Sequence, residues 1–268
     1  MEKKKLNLDE ISEKEDVFYV VYSNSEQEFP MHKHNKHQLY YVENGIAFFN
    51  TPTYSFFLPA HHFLWIPAGV EHNISSRTAV KMVYCLYIPT SITRGIQKLE
   101  EGTGIYPVNN LMVEMINYTR DWYGEVGAEQ ATRYQFLQTL TNVLVEAAGN
   151  MSLPVELPTT DNEDLRLVLK HIHHHIDQPL NLKSIAEQLG YSTRSLSRLF
   201  QNNINTSFLQ YVKRLRVIKA MELLLQTNLS VSEISYRCGY NTLSSFSYVF
   251  QKLVHVSPAE FRKQTRQI

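Results

Sequence analysis

Long apolar runs and a set of cysteines are both missing from this 268-residue chain. No stretch reaches about 18 consecutive apolar residues, so we expect no membrane-spanning helix. The charged N-terminus leads into no apolar core, so we expect no signal peptide. The two cysteines, Cys85 and Cys238, lie far apart in apolar or helical patterns. These features indicate a cytoplasmic protein with reduced thiols.

Net charge is also missing, but only when the whole chain is summed. The 26 Lys and Arg side chains balance 26 Asp and Glu. Residues 161–268 hold 14 basic and 8 acidic side chains, a surplus of six positive charges, and residues 1–160 hold the opposite surplus. A basic module beside an acidic one is the charge distribution expected of a nucleic-acid-binding domain joined to a domain that does not bind nucleic acid.

The basic part contains the same sequence pattern twice, in residues 182–200 and 231–250. Each copy has a short helical pattern, a Gly-Tyr turn, a polar run and a helix that ends in Phe-Gln. The two turn glycines, Gly190 and Gly239, lie 49 positions apart. A repeat of this length in fixed register indicates one supersecondary unit used twice.

Local chemistry predicts that the unit is a helix-turn-helix. Ala186 provides the small side chain that a close helix crossing needs, Gly190 suits the left-handed end of the first helix, and Ser192 can cap the second. Apolar residues at helical spacing bury one face of the second helix and leave Arg194, Ser195, Ser197 and Arg198 on the others. Arginines and serines on such a helix can contact guanine edges and phosphates in a DNA major groove.

The joint between the copies is predicted to be a single helix over residues 207–226. At about 1.5 Å per residue it is about 30 Å long, and such a rod could separate two recognition helices by about one DNA turn.

These residues resemble the DNA-binding domain of the AraC/XylS family of bacterial transcription regulators. The resemblance covers about 100 C-terminal residues and is most specific at residues 234–240 (ISYRCGY) and 256–262 (VSPAEFR). It implies base contacts from the first recognition helix and from a second set at Leu243, Ser244, Ser247 and Tyr248. Residues 241–248 carry no charge. We therefore expect the first unit to provide most of the base discrimination and the second to contact the backbone.

The N-terminal part reads as short strands separated by turns. The predicted strands are residues 17–22, 37–42, 46–50, 54–58, 62–66 and 79–88, with breaks that include 24–25 and 44–45. Many short strands at regular spacing favour a sandwich or barrel.

The same N-terminal part contains a pattern of three histidines and a glutamine: His32, His34, Gln38 and His72. Gly45, Pro67 and Gly69 lie at the turns of this pattern. It resembles the two motifs of the cupin (jelly-roll) superfamily, in which metal-binding members have three histidines and a glutamate. Gln38 stands in place of the glutamate, which removes a negative charge. Three interpretations stay open: the four residues line a pocket for a small-molecule effector, they bind a divalent metal, or they are structural. Strand aromatics such as Tyr40, Tyr41, Phe63 and Trp65 could wall a pocket. The alternative is that most of them belong to the barrel core.

Two helical patterns follow at about 108–123 and 128–148, then a proline-bearing linker at 151–161 and a helix at 162–176. The predicted class is α+β: an N-terminal cupin-type β-barrel (jelly roll, about 15–90) with flanking helices (about 105–150), and a C-terminal all-α domain with two helix-turn-helix units. The predicted domains are 1–150 for effector binding and dimerisation, and 162–268 for DNA binding.

The function these patterns favour is a sequence-specific DNA-binding transcription regulator controlled by an effector in the barrel, and not an enzyme. Its expected partners are double-stranded DNA, an unidentified small molecule, a second copy of the chain and, for an activator, RNA polymerase, with no membrane partner. No cofactor is certain, and a divalent metal is the one candidate. The alternatives are a cupin metalloenzyme with accessory DNA binding, or a constitutive DNA-binding protein with a dimerising barrel.

Overall fold

A computed structural model describes residues 8–23, 29–43, 46–76, 83–93, 102–147 and 156–266. The described helices are α1 (Leu8–Glu13), α2 (Asn110–Tyr118), α3 (Ala131–Ala147), α4 (Glu163–His174), α5 (Leu182–Gln188), α6 (Thr193–Ile204), α7 (Phe208–Gln226), α8 (Val231–Arg237), α9 (Leu243–Val254) and α10 (Pro258–Arg266). The described strands are β1 (Phe18–Ser23), β2 (His37–Val42), β3 (Ile46–Asn50), β4 (Tyr54–Pro59), β5 (His62–Ile66), β6 (Asn73–Ser76), β7 (Val83–Ile88), β8 (Gly104–Pro107), β9 (Gly124–Val126) and β10 (Glu156–Pro158).

Contacts between Cα atoms divide the chain into two compact units. The first comprises residues 1–47 and 60–153, and the second comprises residues 48–59 and 154–268. The end of β3 and all of β4 therefore group with the C-terminal helices. Within this second unit β4 pairs antiparallel with β10, with Ser55 opposite Leu157. β10 lies inside the segment predicted as a linker, whose first residues, 151–155, are outside the described residues.

The first unit contains a six-stranded antiparallel sheet in the order β8-β5-β2-β7-β1-β9. In its centre β2 pairs with β5 and β7, so that Gln38 lies opposite Ile66 on one side and Tyr87 on the other. One face packs on α2 and α3 through a core that includes Leu39, Tyr41 and Trp65. Because side chains alternate along a strand, Gln38 and Tyr40 of β2 project to the opposite face.

The second unit is built around α7. Nine of its side chains are buried: Phe208, Tyr211, Val212, Leu215, Val217, Ile218, Ala220, Met221 and Leu224. The helices α8, α9 and α10 and the strands β4 and β10 pack against it. The two helix-turn-helix units, α5–α6 and α8–α9, are where the sequence repeat predicts them.

The predicted α+β class is confirmed, with a β-rich N-terminal part and a helical C-terminal part. Strands β2, β3 and β5 have the predicted bounds, and the predicted helices are one to five residues longer at their ends than α2 to α4. The strand predicted over 79–88 is described from Val83, and residues 77–82 are outside the described residues, as are the turns at 24–25 and 44–45. The pattern did not predict α1, β6, β8, β9 or β10, which are all short. No described helix has the length and apolar character needed to cross a membrane.

Ala186, which the sequence predicts at the crossing of α5 and α6, is 1% exposed. Ala186→Leu adds three carbons to a packed contact, so we expect a loss of about 1–3 kcal/mol in the free energy of unfolding. Urea unfolding of the full chain measures it. Lys183→Leu, an exposed position on the same helix, is the control and should change stability little. Equal stability of both variants would contradict a tight crossing at Ala186.

Candidate functional site

The first helix-turn-helix unit presents its polar residues as predicted. The side chain of Asn181 caps α5 by accepting a hydrogen bond from the Ser184 N–H (2.9 Å), and Ser192 caps α6 by accepting from the Ser195 N–H (3.0 Å). Between them Gly190 has φ +75°, the left-handed conformation that ends α5 at little cost for glycine. Two of these three residues, Gly190 and Ser192, are the ones that the sequence predicts at the turn, and the cap at Asn181 is added by the structure.

The second helix of this unit, α6, has one apolar face and one polar face. Leu196, Phe200 and Ile204 are buried, whereas Arg194, Ser195, Ser197 and Arg198 are all exposed. The hydroxyl of Ser195 lies 2.8 Å from that of Ser192, so it is already engaged in the cap. The two arginines are four positions apart, so their side chains project from adjacent turns of the same face.

The second unit repeats this construction with different surface chemistry. Ser230 and Glu233 form a reciprocal capping box at α8, whose hydrogen bonds lower the pKa of the Glu233 carboxyl. Thr242 caps α9, and Gly239 again has φ +75°. Leu243, Ser244 and Tyr248 are exposed, Ser247 is half-buried, and Phe246, Phe250 and Val254 are buried. The exposed face of α9 is thus uncharged over its first two turns.

Three histidines come together in the first unit. His32 and His72 form an isolated antiparallel bridge, with backbone hydrogen bonds of 2.9 and 2.8 Å in the two directions. The Gly69 N–H donates to the carbonyl of His34 (2.8 Å), which joins the same two segments. Nitrogen atoms of His32, His34 and His72 lie within 4.8 Å of one another. The structure therefore brings together the three histidines that the sequence pattern predicts.

Each of these imidazoles is oriented by its own backbone neighbourhood. Nδ1 lies 2.8 Å from a backbone carbonyl oxygen in all three: Pro30 for His32, Lys36 for His34 and Val70 for His72. A carbonyl oxygen only accepts hydrogen bonds, so Nδ1 carries the proton and the lone pair of a neutral ring is on Nε2. Burial lowers the pKa of His72 to about 3 and also lowers that of His34, which keeps these two rings neutral.

Gln38 completes the cluster. Its side-chain oxygen lies 3.0 Å from Nε2 of His34 and 3.1 Å from Nε2 of His72. Its amide nitrogen lies 3.4 Å from the hydroxyl of Tyr87. If the amide rotates by half a turn, its NH₂ group donates to both rings and its oxygen accepts from Tyr87. Gln38 can therefore satisfy the neutral rings directly, or present an oxygen to an ion held by them.

The chemistry of this cluster fits a divalent transition metal. Neutral imidazole nitrogens whose other ring nitrogen donates to a carbonyl are the usual ligands of Zn²⁺, Ni²⁺, Cu²⁺ and Fe²⁺. An amide oxygen in place of a carboxylate leaves the charge of such an ion uncompensated. The donor set therefore differs in charge from the three histidines and one glutamate of metal-binding cupins.

Three of the strand aromatics that could wall a pocket lie in the core, which was the alternative place for them. Tyr41, Phe63 and Trp65 belong to the core between the sheet and helices α2 and α3, and do not face the histidine side. Their neighbours at this core are apolar side chains and Thr141, whose hydroxyl donates to the Leu137 carbonyl (2.8 Å), and the gap between them is too small to hold a water molecule. Tyr40, on the histidine side, is buried.

Tyr87 and the three orienting carbonyls were not predicted. Tyr87 lies next to the cluster because β7 pairs with β2 in the register that places Tyr87 opposite Gln38. That register depends on two strands separated by more than 40 residues, and no local pattern in the sequence specifies it. The carbonyls lie two residues from their histidines, a spacing visible in the sequence but without meaning until the turn conformation is known.

Known proteins match both parts of the chain. Residues 16–110 match the AraC-like ligand binding domain family, and residues 185–264 match a helix-turn-helix domain family. The chain is 22% identical over 259 residues to the HTH-type transcriptional activator RhaR of Mannheimia succiniciproducens. It is 24% identical over 246 residues to the activator RhaS of Klebsiella pneumoniae. Each alignment covers 88% of this chain and 88% of the relative.

A solved structure also matches, the C-terminal domain of the response regulator AraT from Geobacillus stearothermophilus. It is 38% identical with a TM-score of 0.37, over 38% of this chain and 85% of that one. The two family matches together span well over half of the chain, and they lie in the order that the sequence predicts. The chain therefore belongs to the AraC family of DNA-binding transcription regulators, with a ligand-binding N-terminal domain and a helix-turn-helix C-terminal domain.

Proposed function

We propose that this regulator is a cytoplasmic transcription activator, not an enzyme, that binds DNA as a homodimer and recruits RNA polymerase when an effector occupies the histidine cluster. In this proposal residues 1–150 bind the effector and dimerise, 151–161 link, and 162–268 bind DNA. The observation that carries the proposal is the presence, in one chain, of two capped helix-turn-helix units and a cluster of convergent imidazoles. The relatives RhaR and RhaS are transcriptional activators by name, which supports activation over repression.

On DNA, the two units have different roles in this proposal. The planar guanidinium groups of Arg194 and Arg198 in α6 can each donate two hydrogen bonds to the edge of a guanine. Ser195 and Ser197 can reach bases or phosphates. In α9, Ser244 and Ser247 serve as phosphate donors, and Leu243 and Tyr248 make apolar contacts, including one to a thymine methyl group. Base discrimination then depends mainly on the first unit, and the second adds affinity.

The homodimer is supported by exposed apolar residues on α2. Leu111 and Tyr118 are 59% and 65% exposed and lie two helical turns apart on one face. Large apolar side chains left in water at this spacing are typical of a helix that packs against a partner helix.

The effector that the cluster suits best is a divalent transition metal ion. His32, His34 and His72 would bind it through Nε2 and Gln38 through its side-chain oxygen. Two observations support this: every Nδ1 is committed to a backbone carbonyl, and the nitrogen atoms already lie within 4.8 Å of one another. An ion needs no larger cavity, and Tyr40, two residues from Gln38 on the same face of β2, is buried.

Arg198→Ala tests the recognition helix. Loss of one bidentate base contact should weaken binding to a site selected from random DNA by about 1–3 kcal/mol, with little change on unselected DNA. Fluorescence anisotropy at one fixed salt concentration measures both affinities. Lys170→Ala, which removes a positive charge from the exposed side of α4, is the control. An equal loss on selected and unselected DNA would instead assign Arg198 to a phosphate.

Metal binding is tested on full-length protein freed of metal by a chelator. We expect Co²⁺, Zn²⁺ or Ni²⁺ to bind one ion per chain in calorimetry, and the visible absorption of Co²⁺ to report nitrogen ligands. His32→Gln should weaken binding at least about tenfold, because one of the imidazole ligands is lost. His174→Gln, an exposed histidine on α4, should leave it unchanged.

Gln38→Glu provides a test in the opposite direction. A carboxylate adds the negative charge that the cluster lacks, so the affinity for Zn²⁺ should rise. If neither the natural protein nor the Gln38→Glu variant binds any of the three metals, the metal proposal is wrong. If metal binds but changes neither DNA affinity nor transcription in vitro, the cluster is not the control site.

A further inference from the structure

The two helix-turn-helix turns have the same backbone conformation but different surroundings. Gly190 and Gly239 both have φ +75°. A Cβ atom added to Gly190 would meet no atom within 4 Å. A Cβ added to Gly239 would lie 2.5 Å from Nη2 of Arg216 and 2.6 Å from the carbonyl oxygen of Ile176. The second turn is therefore in direct contact with other elements of the C-terminal unit, whereas the first turn is open.

Arg216 makes this contact from the middle of α7. Its Nη2 donates a hydrogen bond of 2.7 Å to the carbonyl of Gln178, in the connection between α4 and α5. Its guanidinium carbon lies 5.3 Å from the ring centroid of Tyr240, the residue after Gly239. One side chain thus joins three elements: α7, the connection that leads into the first helix-turn-helix unit, and the turn of the second.

These contacts need an arginine. The planar guanidinium can lie over the Tyr240 ring and donate to a carbonyl at its edge, whereas a lysine ammonium presents a single point. Tyr240 in turn packs against Phe246 of α9, with ring centroids 5.4 Å apart. Phe246 is completely buried. A shift of the Arg216 side chain would therefore be transmitted through Tyr240 to the recognition helix α9.

Burial limits how far Arg216 can move. It is half-buried, and burial lowers the pKa of its guanidinium, but an arginine keeps its charge. Releasing the side chain from its place would leave the Gln178 carbonyl and the Tyr240 ring without this partner. The absence of side-chain atoms at Gly239 lets the guanidinium approach the turn itself, so the fit depends on that glycine as well as on the arginine.

We propose that Arg216 is a positioning residue that sets the separation and relative rotation of α6 and α9, and with them the spacing of the two base blocks that one chain can bind. This inference rests on the proposed use of both units on one DNA site. One base pair more or less between the blocks moves the second by about 3.4 Å and rotates it by roughly a tenth of a turn. A rigid pair of units cannot follow that change, whereas a loosened pair can.

The experiment measures affinity for a selected site in which the spacer between the two blocks is lengthened or shortened by one and by two base pairs. The full-length natural protein should lose about tenfold in affinity when the spacer changes by one base pair, because one unit loses its contacts. Arg216→Met should bind the best spacing more weakly and reduce the spacing penalty to about twofold. Arg216→Lys should fall between them, and Arg166→Met, an exposed arginine on α4, should behave like the natural protein.

A glycine pair separates positioning from stability. Gly239→Ala and Gly190→Ala both force a side chain to adopt a positive φ, so both should lower the midpoint of thermal unfolding. Only Gly239→Ala places a Cβ against Arg216 and the Ile176 carbonyl, so only it should weaken the spacing penalty. Gly190→Ala should keep the natural penalty at whatever affinity remains.

The outcomes distinguish this inference from the proposed function. A natural protein that tolerates every spacing equally would contradict two-unit binding, and this inference would be lost with it. A strict spacing preference that survives unchanged in folded Arg216→Met and Gly239→Ala would leave two-unit binding intact and show that Arg216 is only structural. A spacing penalty that falls equally in Gly190→Ala and Gly239→Ala would also refute the role of Arg216.

Discussion

The burial of α7 is the constraint on which the C-terminal unit depends. Nine of its 19 residues are buried, and helices α8, α9 and α10 pack on it together with β4 and β10. A helix covered on several sides needs apolar residues around most of its circumference, which differs from the single stripe of an ordinary surface helix. Because α7 also leads from the first helix-turn-helix unit into the second, the packing that stabilises the unit is the packing that orients its two recognition helices.

The two copies of the helix-turn-helix have kept the same backbone and diverged in their surfaces. Both use a side-chain cap, a glycine at φ +75° and a buried aromatic on the second helix. The first exposes two arginines and has an open turn, and the second exposes uncharged residues and has its turn packed on Arg216. The unit that exposes two arginines is thus the one with the open turn, and the unit with the uncharged surface is the one whose turn contacts Arg216.

In the histidine cluster the backbone orients the rings, and one side chain connects two of them. Carbonyl oxygens of Pro30, Lys36 and Val70 fix the rings, and Gln38 of the central strand β2 reaches two of them. The neutral amide can act as a donor or as an acceptor, so Gln38 can satisfy His34 and His72 without an ion or present its oxygen to one. A glutamate at this place would repel the imidazole lone pairs unless a cation were present.

The sequence by itself determined the local structure. Caps at Ser192 and Ser230, glycines at 190 and 239, and the short β-branched and aromatic run at His37–Val42 all act through neighbours in the chain, so their patterns could be recognised without the fold. For the same reason, the repeat and the three histidines could be predicted as candidates.

Only the tertiary structure decided which of these residues meet. The register of β2 with β7 brings Tyr87 to Gln38. The alternation of side chains along each strand places Tyr41, Phe63 and Trp65 in the core, on the face opposite the histidines. The short strands β8, β9 and β10 exist because a longer strand pairs with them. The contact of Arg216 with Gln178 and Tyr240 joins positions separated by more than 20 residues in each direction. Such contacts depend on the packing of distant segments, and local propensity carries no information about that packing.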